Sequence, residues 1–215
     1  MNHRIVNFAV VALALLVGTG NAIARHDPAK HSEKRTLDKA VFRSDMRKLW
    51  EDHVTWTRLY IISAMENLSD KSATTNRLLQ NQTDIGNAIK PLYGDAAGNK
   101  LTALLRDHIL IAAELIDAVK SGDTTRSNSS GTRWNSNADE IAEFLSGANP
   151  KNWPPAEMKS MMRSHLSATT TEVVARLKKD WEGDVRAYDE VHKQILHMSD
   201  MLSSGIISQF QAKFR

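Results

Sequence analysis

The sequence predicts an all-α fold, an antiparallel helical bundle of three repeated helical hairpins with four to six helices in total. A stretch centred on a histidine occurs three times, at a spacing of 55 positions from His53 to His108 and of 57 from His108 to His165. Such a near-constant period indicates one supersecondary unit used three times. Apolar side chains within each unit recur at the spacing of an amphipathic helix, and no segment shows the alternation of a strand.

Residues 1–24 have the pattern of a secretory signal peptide. His3 and Arg4 precede an apolar run over 5–17, and Ala22-Ile23-Ala24 is a small-x-small cleavage motif. The run is shorter than the roughly 20 residues that a bilayer span needs. We therefore expect a mature chain that begins near Arg25, lies in the periplasm or is secreted, and has no stable membrane span after signal cleavage.

The composition of the chain limits both how it is stabilised and what it binds. It contains no cysteine, so disulfides and thiolate metal sites are excluded. The net charge of +3 is scattered, and only five Phe and three Tyr occur. Neither a basic groove nor a stacking platform is indicated, so no nucleic-acid partner is expected. Residues 25–36 are polar and predict a flexible leader before a bundle domain over 37–215.

The first repeat, about residues 37–94, contains two predicted helices. One apolar stripe on the first helix includes His53 itself, and this helix should run from Leu37 to about Leu68. Ser69 to Ser72 interrupt the pattern. The second helix then continues until Pro91 and Gly94 stop it. The apolar stripes consist of Leu49, His53, Trp56, Tyr60 and Ala64, and of Leu78, Gln82, Ile85 and Ile89.

The second and third repeats, about 95–150 and 154–212, follow the same plan. His108 lies in the middle of the stripe on the third helix, which ends at Ser121 to Asp123. The Ser-, Thr- and Asn-rich stretch 124–137 has poor helix propensity, which predicts a late or frayed start for the fourth helix. A proline pair, 154–155, opens the fifth helix. The sixth helix is expected to relax near Gly205.

The hairpins also predict which side chains lie level with each histidine. Residues equidistant from the turn of an antiparallel hairpin lie at the same height, and a neighbour three positions earlier shares the face. This pairs His53 with Asp84, His108 with Glu140, and His165 with His192. If the hairpins align, one layer collects His53, His108, His165, His192, Asp84, Glu140 and Asp189. Asn81, Asn137 and Glu172 are expected to support it.

Imidazole and carboxylate together are ligands for transition metals, so the layer predicts a metal site. Zinc, iron, manganese, nickel and copper fit equally at this stage. Bundle proteins hold metals in this way, with side chains from facing helices pointing inward. Two other interpretations stay open. The layer could be a hydrogen-bonded structural network that fixes register, or a pocket for a small ligand.

Two segments carry a resemblance to a known group of proteins. They are 49–58, which begins Leu49-Trp50-Glu51-Asp52-His53, and 76–89, which begins Asn76-Arg77-Leu78-Leu79-Gln80. With Asp180-Trp181 and the later Tyr188-Asp189-x-x-His192, they resemble a family of small exported bacterial helical-bundle proteins. Members often carry names such as glycosyltransferase or acetylglutamate kinase. This chain has no phosphate loop or nucleophile elbow, so the resemblance implies a helical module and transfers no catalytic residue.

The sequence therefore predicts an exported helical bundle that binds a transition metal, in metal handling or as a metal-stabilised module. No motif predicts a catalytic residue, and enzyme activity stays open. The first alternative is a non-catalytic envelope protein that binds a protein partner, whose identity the sequence does not give. The second is an oxidase-like enzyme with two metals.

Overall fold

Six α-helices account for most of residues 36–215, the part of the chain that the computed structural model describes. They are α1 (Lys39–Glu66), α2 (Lys71–Tyr93), α3 (Asp95–Ser121), α4 (Thr124–Ala148), α5 (Pro155–Leu177) and α6 (Trp181–Gln209), followed by a short 3-10 helix, Gln211–Lys213. The predicted all-α class is confirmed, with six helices. The signal peptide predicted over 1–24 and almost all of the leader predicted over 25–36 lie outside the described residues.

Aspartate side chains set where three of the helices begin. The Asp38 carboxylate accepts hydrogen bonds from the backbone N–H groups of Ala40 and Val41. Asp123 accepts one from Arg126 N, and Asp180 caps α6 in the same manner. An N-cap of this kind satisfies backbone donors that the first helical turn leaves free.

Helix α4 begins at Thr124, so the expectation of a late or frayed start is wrong. The Asp123 cap fixes its first turn, and its hydroxyl side chains bond to the helix itself. Ser127 Oγ donates to the carbonyl of Thr124, and Ser130 Oγ donates to that of Arg126. Capping and local hydrogen bonding thus outweigh the poor intrinsic propensity of this stretch.

Helix α6 is likewise continuous through Gly205 to Gln209, so the expected relaxation there is also wrong. The glycine has a packing role. A Cβ at this position would lie 2.2 Å from Nε1 of Trp153. Because no side chain stands in the way, the indole can pack directly on the helix backbone.

Successive helices lie antiparallel to one another, and α6 packs back against α1. Helices α1, α3 and α5 therefore run in the same direction, and α1 also contacts both α3 and α5. The backbones of α2 and α3 approach closely at Gly86 and Gly98. A Cβ on either glycine would come within 2.6 Å of the other's carbonyl oxygen.

The buried apolar side chains form two clusters rather than one. The larger includes Trp50, Leu105 and Met162, and the smaller includes Tyr60, Ile116 and Val173. Along α1, α3 and α5, the boundary between the clusters falls near the three repeated histidines. A polar layer thus crosses the middle of the core.

The two ends of the described chain are joined beside the bundle. Leu37 N donates to the carbonyl of Lys213, and Arg215 N donates to that of Leu37. The ring of Phe42 packs edge-on against Phe214. None of the helices within 36–215 has the length and continuous hydropathy that crossing a bilayer requires.

Candidate metal centre

Three histidines from three parallel helices meet in the polar layer. His53 on α1, His108 on α3 and His165 on α5 are 3, 3 and 5% exposed. The ring centroid of His165 lies 5.8 Å from that of His53 and 6.1 Å from that of His108. The sequence prediction that these three histidines share one layer matches their placement.

Asn137 on α4 holds the ring of His108. The Asn137 Nδ2 group donates to the carbonyl oxygen of Leu104, at 3.1 Å. Its Oδ1 atom therefore faces Nδ1 of His108, at 2.9 Å. A carbonyl oxygen can only accept, so His108 carries its proton on Nδ1. This leaves Nε2 of His108 with a free lone pair.

Gln194 on α6 holds His165 by the same arrangement. Its Nε2 group donates to the carbonyl of Met161, at 3.3 Å, and its Oε1 atom lies 3.2 Å from Nδ1 of His165. The carbonyl used is again four residues before the histidine. His165 therefore also carries its proton on Nδ1, with Nε2 left as the unprotonated nitrogen.

In the first hairpin, two neighbouring side chains on α2 stand where one amide stands elsewhere, and only the bond to the helix carbonyl is made. Asn81 Nδ2 donates to the carbonyl of Leu49, at 2.9 Å. Gln82 is fully buried and donates to Leu78 O and Asn81 Oδ1. Its carboxamide is the polar group that favours the protonated form of His53. Even so, Gln82 Oε1 and His53 Nδ1 do not reach hydrogen-bonding geometry with any described group.

The electrostatics of the layer keep all three imidazoles neutral. Burial lowers the pKa of His53 well below its ordinary value, and the two neighbouring imidazoles lower it further. Burial, reinforced by His165, lowers the pKa of His108 to about 3. Burial likewise lowers the pKa of His165. Neutral imidazole is the form that ligates metals.

The carboxylates predicted from the hairpin heights lie outside this layer, which corrects their predicted placement. Asp84 accepts a hydrogen bond from Gln80 on the surface of α2. Glu140 and Asp189 are exposed. For Asp84 the physical reason is rotation about the helix axis, because it lies two positions after Gln82 and two positions along a helix turn a side chain by about 200°. A residue can therefore be level with an imidazole and still face away from it.

His192 and Glu172, which were also predicted to belong to the layer or support it, contact other side chains instead. His192 is half-buried, and its Nε2 atom lies 3.0 Å from Oε1 of Glu51. Glu172 is 1% exposed and accepts from Arg58 NH1 at 2.9 Å. Arg58 also holds Asp184 through both of its terminal nitrogens. Burial raises the pKa of Glu172 to about 7, although Arg58 opposes that rise.

A cavity of about 120 Å³ lies against the imidazole layer. It extends between α1, α3 and α5 on the C-terminal side of the three histidines, and no Asp, Glu, Lys or Arg lines it. The Nε2 atoms of the three rings make no hydrogen bond to any residue within 36–215. Within that range, no three His, Asp or Glu side chains are already close enough together to hold a metal ion.

The sequence analysis missed Gln194 as the partner of His165, did not place the Gln82 carboxamide beside His53, and named Asn137 only as support. A signal for all three was present. The residue 29 positions after each repeated histidine is a carboxamide in every hairpin. That offset would have identified the positions that face each histidine. Counting residues outward from the turn of each hairpin gave only the height along the helix axis.

Comparison of the chain with protein-family models, curated proteins and solved structures finds no match.

Proposed function

We propose that this chain is an exported helical-bundle protein that binds a transition metal ion through His53, His108 and His165. Its role would be in metal handling or as a metal-stabilised module. The observation that carries the proposal is the meeting of three buried imidazoles, two of them fixed with their proton on Nδ1. A hydrogen bond from the non-ligating nitrogen to a carbonyl oxygen is how proteins orient metal-binding histidines.

The distances between the rings are compatible with a modest closure around a metal. With zinc–nitrogen bonds of about 2.1 Å and tetrahedral angles, the centroids of two ligating imidazoles lie about 5 Å apart. The two recorded separations are 5.8 and 6.1 Å. Closing each of these two separations, both of which involve His165, to about 5 Å would need ring movements of less than about 1 Å. The adjoining cavity gives the rings room to move.

Three imidazole nitrogens as the only protein ligands limit which metals could bind and which reactions the site could support. Imidazole alone suits zinc, copper, nickel or iron better than manganese, which prefers oxygen ligands. Three histidines would leave a fourth position for water or another ligand. Because no carboxylate lines the cavity, the oxidase-like alternative with two bridged metals has no support from the described residues.

A direct test is metal analysis of protein purified without an affinity tag, at pH 7 and again near pH 5. We expect one metal ion per chain at neutral pH and most of it retained at pH 5, because burial lowers the pKa of all three imidazoles and keeps them neutral there. A site made of exposed histidines with ordinary pKa values would release its metal at pH 5, since its imidazoles protonate. In a zinc titration of metal-free protein, His165→Gln should weaken binding at least tenfold. His192→Gln is the matched control on the surface and should bind zinc like the wild type.

Thermal unfolding with and without a chelator separates the metal site from a purely structural layer. Metal at one hundred times its dissociation constant stabilises the folded state by about 2.7 kcal/mol, which for a domain of this size raises Tm by roughly 5–10 °C. A hydrogen-bonded layer with no metal would unfold at the same temperature in both conditions. That result would favour the envelope interaction protein over metal binding.

A further inference from the structure

Two buried atoms of the first hairpin, Nδ1 of His53 and Oε1 of Gln82, make no hydrogen bond to any residue within 36–215. Gln82 is fully buried, and its Nε2 group donates to the carbonyl of Leu78 and to Oδ1 of Asn81. Both of those oxygens only accept, so the atom of the carboxamide that is left over is an acceptor. The group that matches it is an N–H donor, which an imidazole supplies when its proton is on Nδ1.

The two side chains lie beside one another. Burial lowers the pKa of His53, and the adjacent Gln82 carboxamide opposes that shift. Gln82 also stands 29 positions after His53, and in both other hairpins the carboxamide at that offset bonds to Nδ1 of the histidine. The first hairpin therefore has both groups of the third equivalent pair in place without the bond between them.

His53 has the least restrained ring of the three. Asn137 and Gln194 hold the other two imidazoles through Nδ1, and no described residue holds His53 in that way. The centroid of His53 lies 5.8 Å from that of His165, whereas two imidazoles on one zinc ion lie about 5 Å apart. A metal shared by these rings thus requires a movement, and the ring of His53 is the freest to make it.

We infer that metal binding forms a third histidine–carboxamide hydrogen bond, from Nδ1–H of His53 to Oε1 of Gln82. Both nitrogens belong to one rigid ring, so turning Nε2 toward a metal redirects Nδ1 at the same time. A carbonyl oxygen that accepts from Nδ1–H fixes the tautomer whose Nε2 ligates the metal. Gln82 is then a positioning residue that acts through His53. This inference rests on the proposed metal function and adds that the site is completed only when the metal binds.

The wild-type protein tests the inference without any substitution, by 1H–15N NMR of its histidine rings at pH 7. Before zinc is added, hydrogen-bonded Nδ1–H signals are expected from His108 and His165 only. Saturating zinc should add a third such signal from His53, assigned through its proximity to the ring of Trp50, which packs edge-on against it with 5.8 Å between centroids. A His53 signal that is present before zinc, or that stays absent while the other two histidines bind zinc, would overturn the inference.

Two glutamine variants on α2 test whether the contact sets the affinity. Gln82→Leu removes the acceptor and should weaken zinc binding about 10- to 100-fold, with loss of the third Nδ1–H signal. Gln80→Leu is the matched control, because Gln80 is exposed and bonds to Asp84. It should bind zinc like the wild type.

The outcomes separate this inference from the metal proposal. Wild-type zinc affinity in Gln82→Leu would overturn the role of Gln82 and leave the metal proposal standing. If no buried histidine of the wild-type protein responds to zinc, the metal proposal fails and the inference fails with it.

Discussion

The amide of Asn137 offers the sharpest single test of how the layer is built. In Asn137→Leu the shape of the side chain is nearly kept, but its acceptor and donor are lost. The Nδ1–H group of His108 is then buried without a partner, which costs about 1–3 kcal/mol, and the bond to the Leu104 carbonyl is worth about 1 kcal/mol. We expect the free energy of unfolding to fall by about 2–4 kcal/mol.

Urea unfolding followed by circular dichroism measures this difference, provided that the slope with urea is unchanged. Asn135→Leu is the control on the same helix, because Asn135 is exposed and bonds only to its own helix at Gly131. It should change the stability by less than about 0.5 kcal/mol. If Asn137→Leu lowers the free energy of unfolding no more than this control does, the proposed hydrogen-bonding role of Asn137 between Leu104 and His108 is refuted.

A double-mutant cycle shows whether Asn137 acts through the imidazole. In a His108→Leu background, the Nδ1–H group no longer exists, so Asn137→Leu should cost less than it does in the wild type. A coupling energy of about 1 kcal/mol or more is expected for side chains in direct contact. Additive effects would show that the amide stabilises the hairpin independently of His108.

Three further predictions concern pH and packing. Because the folded state lowers the pKa of the three imidazoles, the unfolded state binds more protons below about pH 6.5, so stability should be full above neutrality and fall on acidification; pH-dependent urea unfolding checks this. The pH dependence from Glu172 has the opposite sign. Folding raises its pKa from 4.5 to about 7, so the stabilisation from its protonated form is lost as pH rises through that range. As pH rises from 5 to 8, Glu172→Gln should therefore become more stable relative to wild type, by up to about 3 kcal/mol. A stability difference between the two proteins that does not change with pH would contradict the buried carboxyl. Gly86→Ala should lose about 1–3 kcal/mol through its clash with Gly98, whereas Gly131→Ala, which meets open space, should be neutral or stabilising in thermal unfolding.

The sequence predicted the helices and the three histidines because both depend on local periodicity. His53, His108 and His165 each lie on an apolar stripe, and a stripe faces the core whatever its neighbours are. The repeat then placed the three residues at equivalent positions on parallel helices. Both properties can be obtained from residue spacing alone.

The partners of the histidines could not be predicted from the turns, because their contact depends on rotation about each helix axis. Asp84 and Gln82 differ by two positions, which changes the face completely. Loop geometry sets that rotation, and the turn residues do not reveal it. The cavity was also hidden from the sequence, since it depends on how side chains from five helices fill the space beyond the imidazoles.

The most direct test of the metal site is NMR of protein with 15N-labelled histidine rings, titrated with zinc at pH 7. We predict that Nε2 of His53, His108 and His165 shifts on metal binding, while Nδ1 of His108 and His165 stays protonated. Zinc-dependent shifts confined to His192 and to His197, an exposed histidine on α6, or no shift in the three buried rings at saturating zinc, would contradict the account.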